Sequence, residues 1–150
     1  MSLVIAANAN DDILPSQLAH AHFAQGVALD DAHQPEAALV CYERALAIDP
    51  THSGANLNAA LILEALGRLD EAAMRFRDTE KLNPAYVDGL NRAGDILGIE
   101  LAKYREALAC YDRSLALQPD QPSVRSNRAH SLLALGCYDE GWRSLDLRAF

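Results

Sequence analysis

Ala37-Ala38-Leu39-Val40-Cys41-Tyr42-Glu43-Arg44-Ala45-Leu46-Ala47-Ile48-Asp49-Pro50 decides the fold, because the chain comes back to it. Ala72-Ala73, Phe76 and Leu82-Asn83-Pro84 form a second copy, and Ala107, Cys110-Tyr111, Leu115 and Leu117-Gln118-Pro119 form a third. The three prolines are spaced by 34 and then 35 residues, and a period of this size marks a stacked repeat. A fourth copy begins after Pro119 and is still running at Phe150. One supersecondary unit stacked four times makes an extended surface, not an enclosed pocket. Such a surface suits binding better than catalysis.

Outward from the prolines, each period holds two helical patterns. The spacing predicts first helices over Gln17–Asp30, His52–Leu66, Ala85–Ile99 and Gln121–Leu135. Second helices are predicted over Pro35–Ile48, Asp70–Leu82, Tyr104–Leu117 and Asp139–Leu147. A residue before proline avoids helical φ/ψ, so Asp49, Asn83 and Gln118 should end the second helices. Proline is tolerated at a first helical position, which leaves Asp49 and Asn83 as candidate caps for the next helix. Gly67 and Gly136 suit the turn inside a repeat, with Asp70 and Asp139 as candidate caps after it. The third repeat has no such glycine and one extra residue within Gly98–Lys103, so a longer helix or an irregular turn is expected there.

Small residues recur where helices must cross. Gly26, Ala60, Gly94 and Ala129 do so on the first helices, and Ala38, Ala72, Ala107 and Gly141 on the second. Leu29, Leu63, Leu97 and Leu132, with Tyr42, Phe76, Tyr111 and Leu145, are the expected core.

This series (small residue, Leu, Gly-x-Tyr/Leu turn, Ala, aromatic, Ala/Ser, Pro) resembles the tetratricopeptide repeat of bacterial-type proteins, over about Ala19–Phe150. The large aromatic common early in that family's first helix is replaced by His22, Asn56, Leu90 and Arg125. The resemblance implies an all-α fold, a right-handed α-solenoid of four stacked antiparallel helix pairs. It divides the chain into an arm over 1–15, expected to be flexible, and repeats at about 19–52, 53–86, 87–121 and 122–150, the last lacking a capping helix.

Composition narrows the partners. Thirteen Lys+Arg against 21 Asp+Glu give a net charge of −8, and Lys81 and Lys103 are the only lysines. A nucleic-acid binder needs a basic stripe to displace counterions, and an anionic membrane needs the same charge. Neither partner is expected. No stretch approaches the roughly 20 apolar residues of a membrane span. Met1–Ala7 is apolar but has no basic flank and is too short, so a signal peptide is not expected. Cys41, Cys110 and Cys137 are odd in number and far apart, and are expected to be reduced structural thiols in a cytoplasmic protein.

Catalytic chemistry is not expected either. His20 and His22 lie on different helix faces, and the remaining histidines are scattered, so neither a metal nor another cofactor is indicated. No phosphate loop, serine elbow or HExxH is present.

The resemblance places a peptide-binding groove on the first helices. Its lining would include Phe23 and Val27, with His20, Ala24 and Asp31, then Leu57, Asn58 and Leu61, with Glu64. Asn91, Arg92 and Asp95 follow, with Asp88, and then Asn127 and His130, with Ser123 and Ser126. Family members that clamp a C-terminal carboxylate use lysine there, and this chain has none. Others hold a peptide backbone with a ladder of asparagines, a position that Asn58 and Asn127 occupy and Ala24 and Arg92 interrupt. An Asn amide offers both a donor and an acceptor.

The expected function is therefore a non-catalytic module that binds another protein or peptide. The alternative is the binding arm of a larger enzyme: Gly136-Cys137-Tyr138-Asp139-Glu140-Gly141-Trp142-Arg143 is similar to the last repeat before a glycosyltransferase-like domain in some bacterial proteins. Trp142, Leu145 and Phe150 would leave an apolar end, to be covered by a second copy or another domain.

Overall fold

The computed structural model describes residues 13–83 and 87–146, and every regular element among them is helical. Helix α1 spans Pro15–Asp31, α2 Pro35–Ile48, α3 Ser53–Ala65 and α4 Leu69–Leu82. Then come α5 at Val87–Asp95, α6 at Tyr104–Leu117, α7 at Pro122–Ala134 and α8 at Tyr138–Asp146. A π-helical segment, Ile96–Glu100, continues α5. The odd-numbered helices are the expected first helices and the even-numbered ones the second. Most of the expected flexible arm, and with it Pro84, Ala85, Leu147 and Phe150, lies outside the described residues. The chain forms two units, Met1–Ile62 and Leu63–Phe150, with the boundary inside α3.

The stops fall where the prolines demand. Asp49, Asn83 and Gln118 all adopt extended backbone at the ends of α2, α4 and α6. Each donates its N–H to the carbonyl four residues back, at 2.8–2.9 Å. The starts differ from expectation. Pro50 and Pro119 sit in the connecting segments, and the prolines at first helical positions are Pro15, Pro35 and Pro122. Asp49 ends α2 but does not cap the start of α3 with its side chain; its Oδ1 accepts from the N–H (3.0 Å) and hydroxyl (2.6 Å) of Thr51, closing an Asx turn. His52 takes the capping role, its Nδ1 accepting from Ala55 N–H at 3.1 Å. Asp70 and Asp139 lie one residue inside α4 and α8. There their charge favours the positive end of the helix dipole instead of capping it.

Gly67 and Gly136 take positive φ, +76° and +82°. After Gly67, Arg68 N–H reaches back to Leu63 O at 2.9 Å, the Schellman closure that left-handed backbone permits. The first repeat makes the same closure with His33 at φ 60°. The extra residue of the third repeat is absorbed by widening the last turn. Leu101 N–H bonds Ile96 O, five residues back, at 3.0 Å, and Ala102 takes the left-handed position at φ 54°.

The small residues are where rings press in. A Cβ on Gly26 would lie 2.6 Å from the Tyr42 ring, and one on Gly94 2.5 Å from the Tyr111 ring. Both tyrosines, like Phe76, are fully buried. Two of the departures from the family pattern, Asn56 and Leu90, are also buried. Cys41 and Cys110 fill buried positions, whereas Cys137 is exposed.

Candidate functional site

In the first unit, helical spacing puts His20, Phe23 and Val27 on one side of α1. Gly54 has no Cβ to push Phe23 away, since that atom would sit 3.2 Å from the ring. Phe23 therefore packs over the start of α3, with ring centroids 4.7 Å from His52, 5.8 Å from Tyr42 and 5.9 Å from His20. His20 and His52 stack at 6.2 Å. Asn58 donates Nδ2–H to the Tyr42 hydroxyl at 3.2 Å. Burial raises the Tyr42 pKa; the Asn58 bond opposes this, and Asp30 and Asp31 add to it. Val27 and Leu57 are half-buried, and Leu61 is 50% exposed.

The second unit is polar at the matching positions. Asp95 Oδ1 accepts from Tyr111 OH and from Asn127 Nδ2, both at 2.9 Å. Burial, then the Asp95 carboxylate, pushes the Tyr111 pKa far upward. Arg92 forms a two-point ion pair with Glu64, and that hydrogen bond raises its pKa. His130 is exposed, with its ring edge-on to Tyr104 at 6.5 Å.

Asn91 has different work. Its Nδ2 donates to Gln121 Oε1 at 2.7 Å while its Oδ1 accepts from Ser114 Oγ at 2.5 Å. Ser114 and Gln121 are buried polar residues that must be satisfied, and Asn91 serves them from both ends. The residues missed by sequence reasoning were His52, Ser114 and Gln121. The available signal was a hydroxyl at Ser114 and at its equivalent Thr79, where the first repeat has Ala45.

Of the expected end face, Trp142 is 56% exposed, Leu145 is half-buried, and Phe150 lies outside the described residues. Among the described residues, no cluster of three or more His, Cys, Asp or Glu could hold a metal. No described helix is long and apolar enough to cross a membrane.

Residues 31–86 and 87–121 each match a family model described as tetratricopeptide repeat. Over 70 residues the chain is 37% identical to the TPR repeat-containing thioredoxin TTL4 of Arabidopsis thaliana, covering 47% of this chain and 9% of that one. Over 83 residues it is 35% identical to Tetratricopeptide repeat protein 7B of Homo sapiens, covering 55% of this chain and 10% of that one. It thus spans no more than a tenth of the length of these curated relatives. Among solved structures, MamA superposes with a TM-score of 0.70 at 15% identity, over 85% of this chain and 74% of its own. The first TPR of Spaghetti (RPAP3), bound to the HSP90 peptide SRMEEVD, gives 0.63 at 24%, over 81% and 95%. YrrB, a TPR protein with an unusual peptide-binding site, gives 0.66 at 21%, over 82% and 63%. At these identities the structures speak for the fold. With two adjoining repeat models over 31–121 and the helix pairs described above, the chain belongs to the tetratricopeptide-repeat family.

Proposed function

We propose that this chain is a non-catalytic interaction module that binds a peptide or partner helix on the faces of its first helices. One observation carries the reading: Leu61 is half exposed on α3, in the unit where Phe23, Val27 and Leu57 are only partly covered. Apolar side chains in that state gain by burial against a partner, at about 25 cal/mol per Å². The polar positions Asp95, Asn127 and His130 suit a partner's backbone or polar side chains. Asn58 and Asn127 each spend an amide N–H inside the protein and keep a carbonyl oxygen with no protein partner among the described residues. Asn91 and Arg92, tied to internal partners, would position the surface instead of reading a ligand. Two structural neighbours are described with a peptide or a peptide-binding site, and the shared fold supports the same use here. The repeats would run at about 19–52, 53–86, 87–121 and 122–150, and a reducing, cytoplasmic setting suits the enclosed thiols of Cys41 and Cys110. The exposed face of α8 forms a second contact surface, for another copy of the chain.

The test begins with peptides selected on the protein from a random display library. Leu61→Asp, at an exposed site, should weaken their binding roughly tenfold or more with the melting temperature unchanged. Asn58→Ala and Asn127→Ala are poorer probes, because each also breaks an internal hydrogen bond. Equal affinity for wild type and Leu61→Asp, with Phe23 and His130 variants also silent, would remove the first-helix faces from the binding surface.

A further inference from the structure

We propose that copies of this chain associate head to tail, the exposed face of α8 in one copy packing on the exposed face of α1 in the next. Repeat equivalence supplies both halves of the contact. On α7, Val124 and Ser131 are buried; their equivalents on α3, Ala55 and Ile62, and on α5, Gly89 and Ile96, are buried too. On α1 the same two positions are Ala21 and Ala28, and both are exposed. Leu18, one turn earlier, is exposed as well, whereas its equivalent Gln121, just before α7, is buried.

The complementary half lies on α8. Trp142 stands where α2 has Leu39 and α4 has Ala73, both buried, and α6 has Leu108, half-buried, yet it is 56% exposed. Tyr138 is 63% exposed and stands where α6 has Tyr104, half-buried with its ring against His130 of the following first helix. The position of His130 is held on α1 by Val27. In the stacked pair Tyr138 would therefore meet Val27 of the next copy.

Two features favour the α1 face of the next copy over its α8 face. The internal α6–α7 contact joins a second helix to a first helix, so α8 against α1 continues an interface the protein already makes. The faces are also matched in size: α8 offers Tyr138 and Trp142, and α1 offers the small Ala21 and Ala28. Leu18, Ala21, Gln25 and Ala28 carry no charge to oppose the exposed Asp139, Glu140 and Arg143 of α8, so the repulsion between copies is the long-range one of a chain at −8, which salt screens. A heterologous contact of this kind leaves one α1 face and one α8 face free in a dimer, so the assembly grows with concentration until it closes into a ring or continues as a filament.

Light scattering over a concentration series tests this, with Trp142→Glu and Ala21→Glu as probes. Both sites are exposed in the single chain, so helicity and melting temperature should match wild type. Wild type should grow past a dimer as concentration rises, and more readily at high salt. Each variant alone has lost one of the two faces and should stay monomeric. Their equimolar mixture still offers one intact α8 face and one intact α1 face, so it should form a one-to-one dimer and nothing larger. A wild type that stays monomeric at millimolar concentration overturns the proposal, whether Trp142 is then open to quencher or shielded within its own chain. Dimers of Ala21→Glu would show an α8–α8 contact instead, and a mixture that stays monomeric would equally overturn the pairing.

Discussion

The Tyr111 hydroxyl and Asp95 Oδ1 are 2.9 Å apart, and the same oxygen accepts from Asn127 at 2.9 Å, so one carboxylate joins α5, α6 and α7. Asp95→Ala should leave a buried phenol and an amide without that partner, at a cost of about 1–3 kcal/mol. Urea unfolding of Asp95→Ala, Tyr111→Phe and the double variant should show coupling between the two residues. Additive losses would mean the bond contributes little.

The same bond sets an alkaline limit. Tyr111 has its pKa raised in the folded protein, so the native state holds a proton that the unfolded phenol gives up. Its contribution is complete below the ordinary tyrosine range near pH 10 and falls as pH rises through and beyond it. Melting temperatures measured from pH 9 to 11 should fall less steeply for Tyr111→Phe than for wild type.

Thiol chemistry should separate the cysteines. Burial pushes the Cys110 thiol up to about 11, and Cys41 is enclosed in the core, while Cys137 is exposed. A thiol-reactive dye at pH 8 should label Cys137 alone in the native protein and all three after denaturation. Fast labelling of native Cys110 would contradict the packing.

Two glycines should respond for different reasons. Gly94→Ala places a methyl 2.5 Å from the Tyr111 ring and should cost about 1–3 kcal/mol by overpacking. Gly67→Ala meets nothing within 4 Å but is held at φ +76°, so its cost, about 1 kcal/mol, is backbone strain. Only the first variant should be eased by Tyr111→Leu.

The π-helical turn offers a repair experiment. Deleting Glu100 brings Ile96–Lys103 into the register of Ile62–Arg68, with Ala102 in the place of Gly67. Adding Ala102→Gly should then relieve the residue now at φ 54°. The doubly altered protein should be at least as stable as wild type by urea unfolding. A large loss would show that the wide turn is required by its surroundings.

The period from Pro50 to Pro84 to Pro119 and the small residues at Gly26, Gly94 and Ala107 were enough to read helix pairs, because steric exclusion acts locally and repeats with the chain. The helix stops at Asp49 and Gln118 were legible for the same reason. Which residues would cap was not, because Asp49 could bond either Thr51 or a helix start, and only the folded loop chose. The third repeat's extra residue was visible, but spacing alone left a longer helix and an irregular turn equally open, and only the Leu101–Ile96 hydrogen bond shows a widened turn. Nor could spacing separate Asn91 from Asn127. Both are asparagines on first helices, and the burial of Ser114 and Gln121, a consequence of packing distant segments together, turned the first inward. Local sterics are written along the chain; the partners of polar groups are decided by what tertiary packing removes from water.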